Sequence, residues 1–252
     1  MTATVVDSHI ACDECGSSDA KTIYEDDDGK QFWKCYSCEG SGQISGGSAG
    51  NAKLPSKPVP GKYAAIPERD ITADTARFYG ITDNGKEWCF PYKGGHKARL
   101  KAEKVFYSDG KPKGLFGQDR FPAGGKYVTL TEGEFDACAA YQMLGSRYPA
   151  VSIRRGAATA VQDVREAYEW LDSFDKVVIC FDSDEKGQEA ARKVAEIFSH
   201  KALITKLVKF KDANEYLSNQ NAKEFVDAWW RSEAYTPDGI VQGSTLWDEI
   251  NK

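Results

Sequence analysis

Acidic side chains follow two apolar segments of the chain at the point where each segment ends. Glu132 comes directly after residues 126–131 (KYVTLT), and Asp182 and Asp184 come after residues 176–181 (KVVICF). Carboxylate oxygens are hard ligands, which suit Mg²⁺ or Mn²⁺ better than a soft metal. Any one of these acids could instead be a solvated turn residue or a helix N-cap. If the three acids converge, they form a site for divalent cations.

A parallel sheet would bring these acids together. The uninterrupted apolar run at 176–181 is typical of a buried parallel strand. Strand-like segments alternate with helix-like ones, which predicts a parallel sheet covered by helices on both faces. We predict strands at 126–131, 150–153, 176–181 and 203–208, and helices at 134–144, 160–171, 188–198 and 222–231. Ligands of such sheets collect beyond the carboxyl ends of the strands, where these acids stand.

The four N-terminal cysteines predict a second metal site. Cys12 and Cys15 form one CxxC pair, and Cys35 and Cys38 form another. Two such pairs complete a tetrahedral four-thiolate zinc site without an open position, so we expect one structural zinc ion and no zinc catalysis. The other three cysteines lie in apolar runs and are expected to be buried; they are Cys89, Cys138 and Cys180.

Aromatic and basic residues lie between and beside the cysteine pairs. Asp28 and Gly29 predict a hairpin turn, and Lys30, Trp33 and Tyr36 follow it. Aromatic rings stack on unpaired bases and lysines bind phosphates, so these side chains are candidates for contacting single-stranded nucleic acid. Against this, residues 1–40 carry nine acidic and three basic residues. The alternative is that this module only folds around its metal.

Composition sets the broader limits. The chain has 252 residues, 41% of them hydrophobic, and a net charge of −5, which fits a medium core with a small accessory module. It contains neither a long apolar run nor a secretory signal, so we expect a cytoplasmic protein without membrane contact. Residues 41–61 are rich in Gly, Ser and Pro and are interpreted as a linker.

The segment between the linker and the predicted sheet is basic. We predict a short helix at 73–79 with Thr72 as N-cap and Gly80 as its stop, then strands near 87–92 and 98–107. Residues 93–113 hold seven basic and two acidic residues. Candidates for binding a triphosphate or a template are Lys97, Arg99, Lys101 and Lys104, with Arg69 as a weaker one. An ordinary solvated strand face is the alternative.

Taken in order, these motifs resemble the primase half of phage-type replicative primase–helicases. The two CxxC pairs and the linker are followed by TEGEFD (131–136), FDSDEKGQEA (181–190) and KDANE (211–215). The likeness extends more distantly to bacterial DnaG-type primases, which share the TOPRIM fold. It implies a zinc-binding domain at 1–42, a linker at 43–61 and a C-terminal tail at 236–252. Between them it implies an RNA polymerase domain, with a basic subdomain at 62–125 and a TOPRIM subdomain at 126–235.

The resemblance also implies roles for the acids. Glu132, Asp182 and Asp184 match the family's metal-binding carboxylates, and Asp136 and Asp212 match further acidic positions of less defined role. Asp28, Lys30, Trp33 and Tyr36 are then candidates for template recognition. Two departures stand out. Lys30 replaces a histidine after the hairpin, and residues 154–156 (Arg-Arg-Gly) replace a Gly-His-Gly-like loop, which adds two positive charges near the sheet edge.

The expected activity is template-directed synthesis of short RNA primers on single-stranded DNA by two-metal nucleotidyl transfer, using ribonucleoside triphosphates. The resemblance implies a replicative helicase, either fused C-terminally or separate, and a DNA polymerase as partners, in a phage-infected bacterial cell. Two alternatives remain: a non-catalytic DNA-binding module of a helicase, and a TOPRIM nuclease that uses the same metals for hydrolysis.

Overall fold

The computed structural model describes residues 4–12, 15, 17–26, 31–43, 61–103 and 105–236. The chain forms two compact units. One contains the described residues of Met1–Gly61 together with Asp83–Cys89 and Lys97–Asp109. The other contains Lys62–Thr82, Phe90–His96 and the described residues from Gly110 onward. No helix in these described ranges has the length and apolar character needed to cross a membrane.

The N-terminal region of the first unit is a small antiparallel sheet. Its strands are β1 (Thr4–Ile10), β2 (Lys21–Glu25), β3 (Gln31–Cys35) and β4 (Ser41–Gln43), and they lie in that order across the sheet. Tyr24 of β2 pairs with Phe32 of β3, and the two rings stack at 5.4 Å. Such aromatic cross-strand pairs stabilise a sheet too small to have a large core. The predicted turn at Asp28 lies outside the described residues.

A three-stranded sheet follows, in the order β5 (Thr82–Asp83), β6 (Glu87–Leu100) and β7 (Phe106–Lys113). The prediction of separate strands at 87–92 and 98–107 was wrong, because β6 runs without a break from Glu87 to Leu100 and the next strand begins only at Phe106. A Cβ on Gly94 would lie 2.9 Å from the carbonyl oxygen of Lys111, so the glycine permits close approach of the neighbouring backbone. The helix before this sheet, α1 (Ala73–Tyr79), has the predicted bounds, N-cap Thr72 and C-cap Gly80.

The second unit is built on a five-stranded sheet. Its strands are β8 (Gly125–Thr131), β9 (Ala150–Ser152), β10 (Phe174–Cys180), β11 (Ala202–Ile204) and β12 (Glu233–Ala234), in the order β12-β11-β10-β8-β9. β8 to β11 pair in parallel, and β12 is antiparallel to β11. Thr131 lies opposite both Cys180 and Ser152, so three strands end at the same edge.

Helices cover both faces of this sheet, as the sequence predicts. One face packs against α3 (Ala160–Glu166), α4 (Tyr168–Asp172) and α5 (Glu185–Phe198). The other packs against α2 (Glu134–Met143), α6 (Ala213–Ser218) and α7 (Ala222–Trp230). Cys89, Cys138 and Cys180 are buried, which confirms that expectation.

Several predicted boundaries differ from the structure. The helix expected at 160–171 is interrupted at Ala167, and α6 was not predicted because its six residues are too few to show a helical period. α5 begins three residues earlier than predicted because the Asp184 side chain accepts a hydrogen bond from the Gly187 N–H and caps the helix. β11 ends early because its neighbour β10 ends at Cys180.

Candidate functional site

The carboxyl ends of β8 and β10 place the predicted acids at one edge of the sheet. Glu132 follows the last residue of β8, and Asp182 lies two residues beyond the end of β10. The charges of Asp182 and Asp184 both act on Glu132, which means that the three carboxylates lie near one another. The topology therefore brings together acids that are about fifty residues apart in the sequence.

Lys211 lies between two of these acids. Its ammonium nitrogen is 3.0 Å from an oxygen of Asp182 and 3.0 Å from an oxygen of Asp184. Burial opposes its charge, but hydrogen bonds and attraction from the two aspartates raise the pKa of Lys211. The Ser183 N–H also donates to the Lys211 carbonyl oxygen at 2.9 Å, which fixes this segment beside the acids. A cation is thus held where the two carboxylates converge.

Glu132 is oriented by the backbone of a neighbouring loop. The Ala157 N–H donates to the Glu132 Oε1 at 3.2 Å. Burial, together with the negative charge of Asp182, raises the pKa of Glu132 to about 7. A nearby divalent cation would offset both the burial of this carboxylate and the repulsion from Asp182, so Glu132 stays a candidate ligand.

Asp136 and Asp212 form a second acidic pair behind this edge. Asp136 accepts a hydrogen bond from the Asn214 N–H at 3.0 Å, while Asp212 caps α6 by accepting from the Glu215 N–H at 2.7 Å. Burial and the charges of Asp212 and Asp182 raise the pKa of Asp136 well above its ordinary value. Both side chains therefore hold the start of α6 in place, Asp136 through Asn214 and Asp212 through Glu215.

The donor set fits a hard divalent cation. Among the described residues, only the four cysteines form a group with ligand atoms all within 4.8 Å of one another. Mg²⁺ keeps several water ligands and binds to few carboxylates, so oxygen ligands of this kind are suitable for it without forming such a tight group. Gly187 is required here, since a Cβ would lie 2.4 Å from the Asp182 carbonyl oxygen.

The four cysteine sulfurs form a compact cluster in the N-terminal sheet region. The Sγ atoms of Cys12 and Cys38 are 3.9 Å apart, and those of Cys15 and Cys35 are 3.7 Å apart. Sulfur atoms at tetrahedron-edge separations are what a four-coordinate zinc ion requires. The geometry supports the structural zinc expected from the sequence.

The predicted template residues have different surroundings. Tyr36 is 61% exposed, with the Lys34 ammonium 5.4 Å from its ring. Trp33 is half-buried against Gly42, with the Lys21 ammonium 4.9 Å from its ring. Asp28 and Lys30 lie outside the described residues. Tyr36 is thus the better placed of the two aromatic candidates for stacking on a base.

The basic candidates of the first unit are half-buried against aromatic rings. Lys97 and Arg99 lie over Phe106, at 4.7 and 5.4 Å, and Lys101 lies over Trp88 at 4.9 Å. Lys101 also pairs with Asp83 at 2.6 Å. Lys104 lies outside the described residues. Cation–π contacts hold these side chains in place, and their binding role stays a prediction.

Arg69 belongs to the second unit and contacts the acidic segments. Its guanidinium lies 5.1 Å from the Phe135 ring and donates to the Asn214 Oδ1 at 3.2 Å. Asn214 in turn donates from its backbone to Asp136. Arg69 therefore supports α6 and α2, and a further role in binding nucleotides stays a prediction.

Sequence reasoning missed three groups at this edge. Lys211 belongs to the KDANE segment at 211–215, so the sequence offered a signal there, but we predicted no function for this lysine. The Ala157 N–H and the buried carboxylate of Asp163 carry no sequence signal of their own, because a backbone donor and a helix-borne acid are recognisable only from their contacts.

Comparisons with known proteins agree with this geometry. The model of the Toprim-like family matches residues 129–217, which hold all five candidate acids. The DNA helicase/primase of Enterobacteria phage T3 is 28% identical over 97% of this chain. The crystal structure of the primase fragment of the bacteriophage T7 primase-helicase is 29% identical, with a TM-score of 0.63, and the match covers 90% of this chain and all of that one. The chain is therefore similar to these phage proteins over nearly its whole length.

A second T7 structure shows the same fold in a complex. It contains the lagging-strand DNA polymerase with primase domains bound to an RNA/DNA hybrid and dTTP; the match is 28% identical, with a TM-score of 0.61, over 69% of this chain and 94% of that one. The present chain spans about half the length of the phage T3 relative, namely 47%. The likeness therefore concerns the primase region of these larger proteins.

Proposed function

We propose that this chain is a DNA primase, which synthesises short RNA primers on single-stranded DNA from ribonucleoside triphosphates. The observation that carries the proposal is the convergence of Glu132, Asp182 and Asp184 at the carboxyl edge of a parallel sheet, around the ammonium of Lys211. Homology to phage helicase/primases over nearly the whole chain supports the same reaction.

In this proposal, Glu132, Asp182 and Asp184 hold Mg²⁺ or Mn²⁺. An ion held by these three carboxylates would supply Lewis-acid activation of the 3′-hydroxyl of the growing primer and positive charge against the triphosphate. Lys211 orients the two aspartates, and its ammonium has three donors, so it can also bind a phosphate oxygen. Asp136 and Asp212 hold α6 and the segment before it in place. Lys97, Arg99, Lys101 and Lys104, with Arg69, are proposed to bind the triphosphate or the template.

The four cysteines are proposed to bind one structural zinc ion, and the module around them to contact the template through Tyr36, Trp33, Lys30 and Asp28. The division into a zinc-binding domain, a linker and a two-part polymerase domain at the boundaries given above stays a prediction. By analogy with the phage T3 and T7 proteins, we further propose that the chain works with a replicative helicase and a DNA polymerase in the cytoplasm of an infected bacterium.

A ribonucleotide incorporation assay on single-stranded DNA templates tests the proposal. Wild-type protein should make template-dependent oligoribonucleotides, and Asp182→Ala should not. Asp175→Ala is the matched control, because Asp175 is an exposed acid at the opposite end of the same strand, β10. Cutting of the DNA without synthesis would indicate a nuclease, and binding without either reaction would indicate a non-catalytic module.

A further inference from the structure

The loop between β9 and the short 3-10 helix Ala157–Thr159 is fastened by a buried carboxylate. Asp163 of α3 accepts from the Arg154 backbone N–H at 2.8 Å through one oxygen. Its other oxygen accepts from the guanidinium groups of Arg154 at 2.7 Å and Arg155 at 2.9 Å. One side chain therefore binds both the backbone and the two side chains of consecutive loop residues.

Burial and further hydrogen bonds hold the contact between Asp163 and Arg154 in place. The Asp163 side chain is fully buried, and that of Arg154 is only 11% exposed. Arg154 also donates to the Pro112 carbonyl oxygen at 2.8 Å and binds Glu166. Two positive and two negative charges thus balance within the cluster. The arginines that looked like added positive charge at the sheet edge are neutralised by Asp163 and Glu166.

The other end of the loop contacts the acidic site. Three residues after Arg154, the Ala157 N–H donates to the Glu132 carboxylate at 3.2 Å. Gly156 between them has φ +81°, and a Cβ there would lie 3.6 Å from the same Glu132 oxygen. The Ile153 N–H is bonded to the Thr131 carbonyl oxygen at 3.1 Å, so the start of the loop is fixed to β8. Between these points, Asp163 holds the loop through the Arg154 backbone and the side chains of Arg154 and Arg155.

We propose that Asp163 is a positioning residue for the metal site, acting through the loop at residues 154–157 to hold the Glu132 carboxylate in its ligand orientation. The inference rests on the proposed function, because it assumes that Glu132 is a ligand of the divalent cation. Partners that orient a metal ligand typically contribute 10- to 100-fold to metal affinity. Asp163 should therefore affect binding of the ion without touching it.

Two single variants test this at different points of the same connection. Asp163→Asn removes the charge that holds the arginines, and Ala157→Pro removes the N–H that reaches Glu132. Proline suits this position, because Ala157 is the first residue of the 3-10 helix and Gly156 before it has an extended ψ of −179°. Ala157→Val adds similar bulk but keeps the N–H. Asp172→Asn is the control for losing an ion pair as such, because it breaks the direct contact between Asp172 and Lys201 elsewhere in the second unit.

The readout is Mn²⁺ binding to the zinc-loaded 252-residue chain, measured by titration calorimetry with thermal unfolding in parallel. We expect about tenfold weaker binding in Asp163→Asn and in Ala157→Pro, with wild-type affinity in Ala157→Val and Asp172→Asn. The double variant, Asp163→Asn with Ala157→Pro, should bind Mn²⁺ no more weakly than whichever single variant binds it less tightly. The reason is that both changes break the same connection between Asp163 and Glu132.

Wild-type affinity in Ala157→Pro would overturn the inference, as would full additivity of the two changes. If Asp163→Asn does not fold, Arg155→Gln replaces it, because this change removes one guanidinium partner of Asp163 at a position that is 42% exposed; wild-type affinity in Arg155→Gln would then overturn the inference. Absence of Mn²⁺ binding by the wild-type protein would instead refute the proposed function, so the two failures are distinguishable.

Discussion

The cysteine cluster and the carboxylate site are built in opposite ways. The four cysteines lie within residues 12–38, on two tight turns joined by short antiparallel strands, and their sulfurs form one compact group. The acids come from loops after different parallel strands, and part of their charge is balanced by Lys211. A closed set of soft ligands serves folding, whereas a looser set of hard ligands leaves room for water and substrate.

This difference determines how each site should respond to mutation. Removing one thiolate leaves three ligands for an ion that needs four, and the small sheet around the cysteines is too small to have a large core. Removing one carboxylate leaves a sheet with apolar cores on both faces. Loss of structure should therefore dominate at the first site, and loss of chemistry at the second.

The largest effect is expected for Cys35→Ser. Structural zinc contributes on the order of 10 kcal/mol to the folding of small zinc modules, so this variant should lose zinc and the order of the N-terminal sheet. Template-specific initiation should disappear, while extension of a preformed primer should partly remain. Zinc content by atomic absorption and primer extension measure the two effects. Complete loss of extension would mean that the two units depend on each other.

Asp184→Asn should have the next largest effect, on chemistry alone. Asparagine keeps the N-cap of α5 but removes a ligand charge, so nucleotide addition should fall about a thousandfold, or about 4 kcal/mol. Asp184→Ala should lose the same activity and, in addition, about 1 kcal/mol of stability with the cap. Steady-state incorporation and urea denaturation separate the two losses. Full activity in Asp184→Asn would show that Asp184 is only a cap.

The two regions also differ in how far the sequence predicts them. The CxxC spacing predicts the cysteine cluster because all its ligands are local. The apolar runs at 126–131 and 176–181 predict the parallel strands, and hence the edge at which Glu132 and Asp182 meet. The contacts of Lys211 with Asp182 and Asp184 join segments distant in the chain, so the KDANE segment could suggest a role for Lys211 but not these partners. The partners of Asp163, Arg154 and Arg155, are closer in sequence, but an acid on a helix gives no sign of which loop it contacts. The continuous strand β6 could not be predicted, because its passage through Gly94 depends on the close approach of the neighbouring backbone at Lys111.

The pH dependence of stability should expose the strain at the acidic edge. Burial raises the pKa of Glu132 from 4.5 to about 7, so between these values the folded state binds more protons than the unfolded state. Stability without divalent cations should therefore fall as pH rises from 4.5 to 7, by about 3 kcal/mol from this residue. Glu132→Gln should remove that part of the slope, as measured by denaturation at pH 5 and pH 7. Identical slopes in the two proteins would mean that Glu132 ionises freely.

The smallest effect concerns the surface of the cysteine module. Tyr36 is 61% exposed, and a stacked base contributes about 1–3 kcal/mol, so Tyr36→Ala should weaken binding of single-stranded DNA about tenfold without releasing zinc. Tyr63→Ala is the matched control, because Tyr63 is 53% exposed but belongs to the other unit. Fluorescence anisotropy with a labelled oligonucleotide measures both affinities. The acidic composition of the module excludes strong long-range attraction, so the contribution of Tyr36 should persist when the salt concentration is raised. An equal loss in both variants would assign template binding to a surface other than this module, and the cysteine cluster would then serve folding alone.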